Sequence, residues 1–223
     1  MQENLRIITN RKKRLKNAIV YTRGLRGAIR PKTPEGEKKP RLILPITDRE
    51  TTNRIKLQAQ QMGKQPYMLI LIGLNTGLRI SDILPLKVGD IRGKEWLVLY
   101  EKKTGKRTEI PIHPVVEHDV RIMTAGKGDD ELLFASRHGK KEGRPIDYVT
   151  AYRWVKKACS LAGVDKYVGC HTLRKTYGYN MYKKYHDVGA LMKRFNHSSQ
   201  TVTLRYIGLS REIDAQRARE TLI

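Results

Sequence analysis

The longest apolar run in the chain, Tyr67 to Leu74, is flanked by Pro66 and closed by Gly77, and it sets the first constraint on the fold. It is too short to cross a bilayer, so it reads instead as a buried helix ending at Gly77, where glycine supplies the left-handed residue that stops a helix. A chain of 223 residues with 39% hydrophobic content can build one core around such a helix but not two full domains of ordinary size.

The neighbouring segments extend this reading. Thr47-Asp48-Arg49-Glu50 has capping-box spacing, and Ile55, Ala59 and Met62 follow at helical intervals, so the folded domain is expected to begin at Ile46. Arg79 to Leu86 is expected to form a turn and short helix. Trp96 to Tyr100 reads as a strand, with Thr104-Gly105 as a tight turn before Glu109 to Ile112, giving a hairpin in which Pro111 implies an edge position. Val116, Val120 and Met123 suggest a short helix, and loops are expected at Lys127 to Asp130 and Arg137 to Arg144. Asp147 can cap a helix carrying Val149, Tyr152, Val155, Cys159 and Ala162 up to Gly163, with Cys159 in its core face. Further helices from Thr172, from Val188 and from about Arg211 complete a mainly α fold with a small antiparallel β-sheet, an α+β arrangement.

Charge divides the chain differently. The 45 Lys and Arg outnumber 22 Asp and Glu, for a formal net charge of +23, which points to a polyanionic partner and to nucleic acid first. Residues 1–45 hold 13 of these cations against three acids, interrupted by Pro31, Pro34, Gly36 and Pro40, and are expected to be a basic arm or linker lying on DNA. No strongly amphipathic basic helix stands out, so membrane binding is not expected. Cys159 and Cys170 fit neither a disulfide framework nor a metal-binding spacing, and the N-terminus lacks a signal peptide's apolar core, so a reducing, cytoplasmic location is expected. The six histidines show no metal-ligand pairing, so the chemistry is expected to need neither metal nor cofactor.

Single residues settle little. Tyr206 is one of 11 tyrosines, Arg79 follows a helix end where any cation is favourable, and Lys103 stands beside a hairpin turn where lysine is ordinary. Taken in order, however, Gly77-Leu78-Arg79-Ile80-Ser81-Asp82, Lys103, His171-Thr172-Leu173-Arg174 and Asn196-His197-Ser198-Ser199 ending in Tyr206 form a set. That set resembles the tyrosine recombinase (phage integrase) family from about Thr47 to the C-terminus.

The resemblance implies that Arg79, Lys103, His171, Arg174 and His197 form a catalytic pocket and that Tyr206 is its nucleophile. It implies a 3′-phosphotyrosyl intermediate, a double-stranded DNA partner and a homotetramer on paired sites, with an accessory DNA-bending protein as a further expected partner. The physical chemistry is consistent with those roles. Guanidinium forks from Arg79 and Arg174 match a phosphate's non-bridging oxygens. A phenol of ordinary pKa near 10 needs positive charge and a proton acceptor, for which His171 is suited by type. His171 and Arg174, at i and i+3, share one helix face. Lys103 would protonate the departing 5′-oxygen, with Lys102 and Lys106 close enough to compete for that role. His197 would hydrogen-bond the phosphate, and Asp82 would position the Arg79 region.

One departure stands out: the family's separate N-terminal core-binding domain of about a hundred residues is replaced here by the basic arm. The catalytic domain then binds with its arm, or a partner completes the clamp, or the chain is a fragment; Met1 favours a complete short protein. The segment after Tyr206, with Ile213, Ala215, Ala218 and Leu222, reads either as the element passed between protomers or as a terminal helix packed on its own domain. Two other functions compete: type IB topoisomerase-like relaxation of DNA, and DNA binding without cleavage.

Overall fold

In a computed structural model of the chain, residues 43–136, 143–209 and Arg219 are described. The expected arm up to residue 42, the loop at 137–142 and the expected C-terminal helix therefore lie outside the described residues, Arg219 apart.

The helices are α1 (Arg49–Met62), α2 (Lys64–Thr76), α3 (Ile80–Ile83), α4 (Pro114–Met123), α5 (Tyr148–Leu161), α6 (Cys170–Tyr185), α7 (Val188–Phe195) and α8 (Gln200–Tyr206). The strands β1 (Trp96–Tyr100) and β2 (Arg107–Pro111) pair antiparallel, Trp96 opposite Pro111 and Tyr100 opposite Arg107. The fold is thus mainly α with a small sheet, as expected. At α1 the cap is Asp48 and not Thr47: its carboxylate accepts from the backbone N–H of Thr51 at 2.7 Å, which a hydroxyl one residue earlier cannot reach. The ordered body also starts before Ile46, since Leu44 N–H donates to the Tyr167 carbonyl at 2.9 Å and Ile46 N–H to Thr176 Oγ1 at 2.8 Å.

α2 is the centre of the domain. Met68 through Ile72 are buried, and the helix packs against α1, α4, α5 and α6. Each such Leu or Ile removed from water contributes about 1.5–3 kcal/mol, so this run anchors the main core. Gly77 ends the helix at φ 60°, and a Cβ there would run into the Tyr177 ring of α6. Handedness and close packing both demand glycine at this point.

A second, smaller core holds Leu191, Phe195, Ile207 and Leu209, with Tyr177, Tyr182, Leu204 and Tyr206 packed on it. It joins α6, α7 and α8. The segment ending in Tyr206, for which no helix was expected, is the helix α8, and Ser199 caps it by accepting from Val202 N–H at 3.2 Å. Tyr206 thus stands on the satellite core rather than on the main one.

Candidate active site

The turn after α2 begins the site. Gly77 directs the chain into extended Arg79, whose Nη1 donates to Glu101 Oε2 at 2.5 Å. Arg79 keeps 18% of its side chain exposed while that of Glu101 keeps 3%, so the guanidinium faces open space with a buried counterion behind it. Asp82, one turn further on, is also buried, and its Oδ1 accepts from the Lys102 backbone N–H at 2.9 Å. Through Glu101 and Asp82 the hairpin turn is fastened to the Arg79 segment. Lys103 projects from that turn and is exposed.

α6 supplies the next two groups. His171 lies in its first turn at the surface, and Arg174 one turn later is buried. Arg174 Nη1 donates to the Gly77 carbonyl at 2.5 Å and Nη2 to that of Phe195 at 3.4 Å, and its Cζ lies 4.5 Å from the Phe195 ring centroid. Burial pushes its pKa down to about 10, which leaves the guanidinium charged at neutral pH. Partial desolvation of the His171 ring, followed by the charges of Arg174, Lys175, Arg79 and Lys103, holds that imidazole below its usual pKa. It is neutral at pH 7 and able to accept a proton.

α7 and α8 bring the remaining two. The His197 and Tyr206 rings meet edge to face at 5.1 Å, and Phe195 packs on both, at 5.5 Å and 5.4 Å. His197 Nδ1 lies 3.1 Å from Thr203 Oγ1, and the Thr203 hydroxyl donates to the Ser199 carbonyl at 3.0 Å. That hydroxyl has one hydrogen, already committed, so the network places the neutral ring's hydrogen on Nδ1 and its lone pair on Nε2. Burial, then the charges of Arg174 and Arg79, lower the His197 pKa. Burial raises that of Tyr206, against the charge and hydrogen bond of Arg174 and the charge of Arg79. The phenol is protonated at neutral pH and lies beside the cations that would stabilise its anion.

Of the six residues singled out in the sequence, Arg174 joins the turn before Arg79 to the Phe195 ring on which His197 and Tyr206 pack, while His171 and Lys103 stand exposed on the first turn of α6 and on the hairpin turn. Three contributors were missed. Glu101 is the acid that opens a strongly basic hairpin, which was its one visible signal. Lys175 donates to the Ile43 carbonyl at 2.7 Å and places its ammonium 5.1 Å from the Tyr206 ring centroid. Arg194 donates to the Thr76 carbonyl, and its Nε and Nη1 are buried without a well-formed hydrogen bond among the described residues, partly compensated by Tyr177 and Glu101. Neither Lys175 nor Arg194 carried a sequence signal.

Among the described residues, no cluster of three or more His, Cys, Asp or Glu could hold a metal ion, and no helix is long and apolar enough to cross a membrane. Cys159 and Cys170 are buried, and burial pushes both thiols up to about 11.

Residues 47–212 match the model of the phage integrase family. The chain is 36% identical over 171 residues to the probable integrase/recombinase YoeC of Bacillus subtilis, covering 77% of this chain and 92% of that protein. It is 29% identical over 144 residues to the tyrosine recombinase XerD of Corynebacterium glutamicum, covering 62% of this chain and 46% of XerD. The chain therefore spans nearly all of the first relative and about half of the second. Among solved structures, XerA recombinase superposes with a TM-score of 0.63 at 17% identity, over 86% of this chain and 67% of that one. A lambda integrase tetramer bound to a Holliday junction superposes with a TM-score of 0.57 at 18% identity, over 79% and 51%.

Proposed function

The chain belongs to the phage integrase family, the tyrosine recombinases, which cleave and rejoin DNA, and on that premise we propose a site-specific recombination reaction in which Tyr206 is the nucleophile. One observation carries this reading: the Tyr206 ring packs at 5.1 Å on that of His197 and at 5.4 Å on that of Phe195, over which the buried Arg174 guanidinium lies at 4.5 Å while donating to the Gly77 carbonyl of the turn that leads into Arg79.

The scissile phosphate binds between Arg79 and Arg174, whose charges offset its own and stabilise the pentacoordinate transition state. Tyr206 Oη loses its proton to neutral His171 and forms a bond to phosphorus. The bond from phosphorus to the 5′-oxygen breaks, and Lys103 gives that oxygen a proton. The products are a 3′-phosphotyrosyl link and a free 5′-hydroxyl, with no oxidation or reduction. Attack by a 5′-hydroxyl from another strand reverses every step and completes the exchange. His197, whose neutral form accepts at Nε2, donates to the phosphate after taking up a proton there, which the phosphate's negative charge favours.

The partner is double-stranded DNA, bound largely through phosphates by a chain of charge +23, with the basic residues up to Arg41 as an arm. The working assembly is a tetramer on paired sites, a reading supported by the similarity to a lambda integrase tetramer bound to a Holliday junction. A DNA-bending protein assists it, and the protein acts in the cytoplasm.

Strand transfer tests the reading. Two duplexes carrying the protein's own recombination site, one labelled, are incubated with the protein; a recombinant labelled strand of the predicted length supports recombination. Relaxation of supercoiled DNA lacking any such site, without recombinant strands, would instead identify a swivelling topoisomerase.

A further inference from the structure

Glu101 holds two parts of the site at once. Its side chain, 3% exposed, accepts from Arg79 Nη1 at 2.5 Å and from Thr104 Oγ1 at 3.1 Å, both on Oε2. Its backbone closes the turn that carries Lys103: Glu101 N–H donates to the Lys106 carbonyl at 2.9 Å, and its carbonyl accepts from Gly105 N–H at 2.8 Å. The carboxylate also feels the charge of Arg174, and Arg194 feels the charge of the carboxylate. An ion pair this buried is not a surface accident, because an unpaired charge here would be strongly destabilising.

We propose that Glu101 is a positioning residue that joins Arg79 to the Lys103 turn, so that seating the phosphate on Arg79 also sets the register of the proton donor. The inference rests on the reaction proposed above. Arg79 has five N–H donors and spends one on Glu101, so its remaining donors are available to a phosphate while the pair stays intact. Thr104, on the turn itself, shares the carboxylate oxygen that Arg79 uses, so a shift of either is felt by the other. The Asp82 carboxylate, holding Lys102 N–H, fixes the near side of the same turn. Lys103 is otherwise an exposed, flexible side chain, and such a group delivers a proton reproducibly only if its backbone is held.

The test uses the leaving group. A 5′-bridging sulfur at the scissile position departs as a thiolate without protonation, so a defect in proton delivery disappears on that substrate, whereas a loss of fold or of phosphate binding does not. Wild type, Glu101→Gln, Thr104→Ala and Lys103→Met are compared for covalent adduct formation on oxygen and sulfur versions of one nicked duplex. Glu101→Gln is expected to slow the oxygen substrate by about tenfold or more, within the range for general acid catalysis, and to approach wild type on sulfur, as Lys103→Met does. Thr104→Ala, which leaves the Arg79 pair in place, should show the same pattern more weakly and covers the case in which Glu101→Gln does not fold. Equal losses on the two substrates, or no loss on either, would overturn the inference while leaving the reaction standing. No adduct from wild type on either substrate would remove the reaction and this inference together.

Discussion

Arg174 Nη1 donates to the carbonyl oxygen of Gly77 at 2.5 Å across 97 residues of sequence, so one side chain ties the end of the central helix α2 to the helix that faces Tyr206. The same guanidinium donates to the Phe195 carbonyl and lies over the Phe195 ring, against which Tyr206 packs. Fold and chemistry therefore depend on one group. Arg174→Ala should slow adduct formation roughly a hundredfold or more, about 3 kcal/mol in activation free energy, and should also lower stability by about 1–3 kcal/mol by leaving two carbonyls without their donor. Arg174→Lys keeps the charge but not the fork and should restore little of the rate. Single-turnover cleavage and urea unfolding read the two effects separately.

Gly178 leaves no room for a side chain. A Cβ there would stand 2.7 Å from both Ile207 and Phe195 in the satellite core. Gly178→Ala should cost about 1–3 kcal/mol by overpacking and should reduce cleavage more than DNA binding, because the groups displaced lie beneath Tyr206. Thermal unfolding together with fluorescence anisotropy on labelled duplex checks this.

The lowered pKa of His171 predicts the acid side of the pH profile. A base works only when neutral, and partial burial followed by the neighbouring cations keeps the ring neutral to lower pH than a free histidine. The cleavage rate should thus fall as pH drops through a value below 6.5, and His171→Asn should abolish that limb along with most of the rate. A limb centred above 6.5 would contradict the role given to His171.

Salt should weaken DNA binding steeply. With 13 Lys and Arg in residues 1–45, removal of residues 2–41 should flatten the plot of log affinity against log salt by at least about two, at roughly 0.9 for each phosphate the arm no longer neutralises. Anisotropy titrations at several salt concentrations, on specific and random duplexes, measure it; an unchanged slope would mean that the arm does not lie on DNA.

The legibility of this chain follows the range of the forces involved. α2 could be read because its apolar run and terminal glycine are local signals, and β1 matched residue for residue because Thr104-Gly105 pins the hairpin. α8 was overlooked: its seven residues are too short to display a period, and only the Ser199 cap marks it. The six site positions were visible through a family resemblance and not through any pattern of polarity. Glu101, Lys175 and Arg194 escaped because what distinguishes them is burial against partners 22, 132 and 118 residues away, and no local spacing encodes that.

The central claim is the covalent step. Wild type and Tyr206→Phe are incubated with a nicked suicide substrate carrying the protein's own recombination site and resolved on a denaturing gel before and after protease digestion. The account predicts a protease-sensitive protein–DNA adduct with wild type and none with Tyr206→Phe, which should still bind the duplex. An adduct that persists in Tyr206→Phe, or no adduct from wild type on its own site, would contradict it.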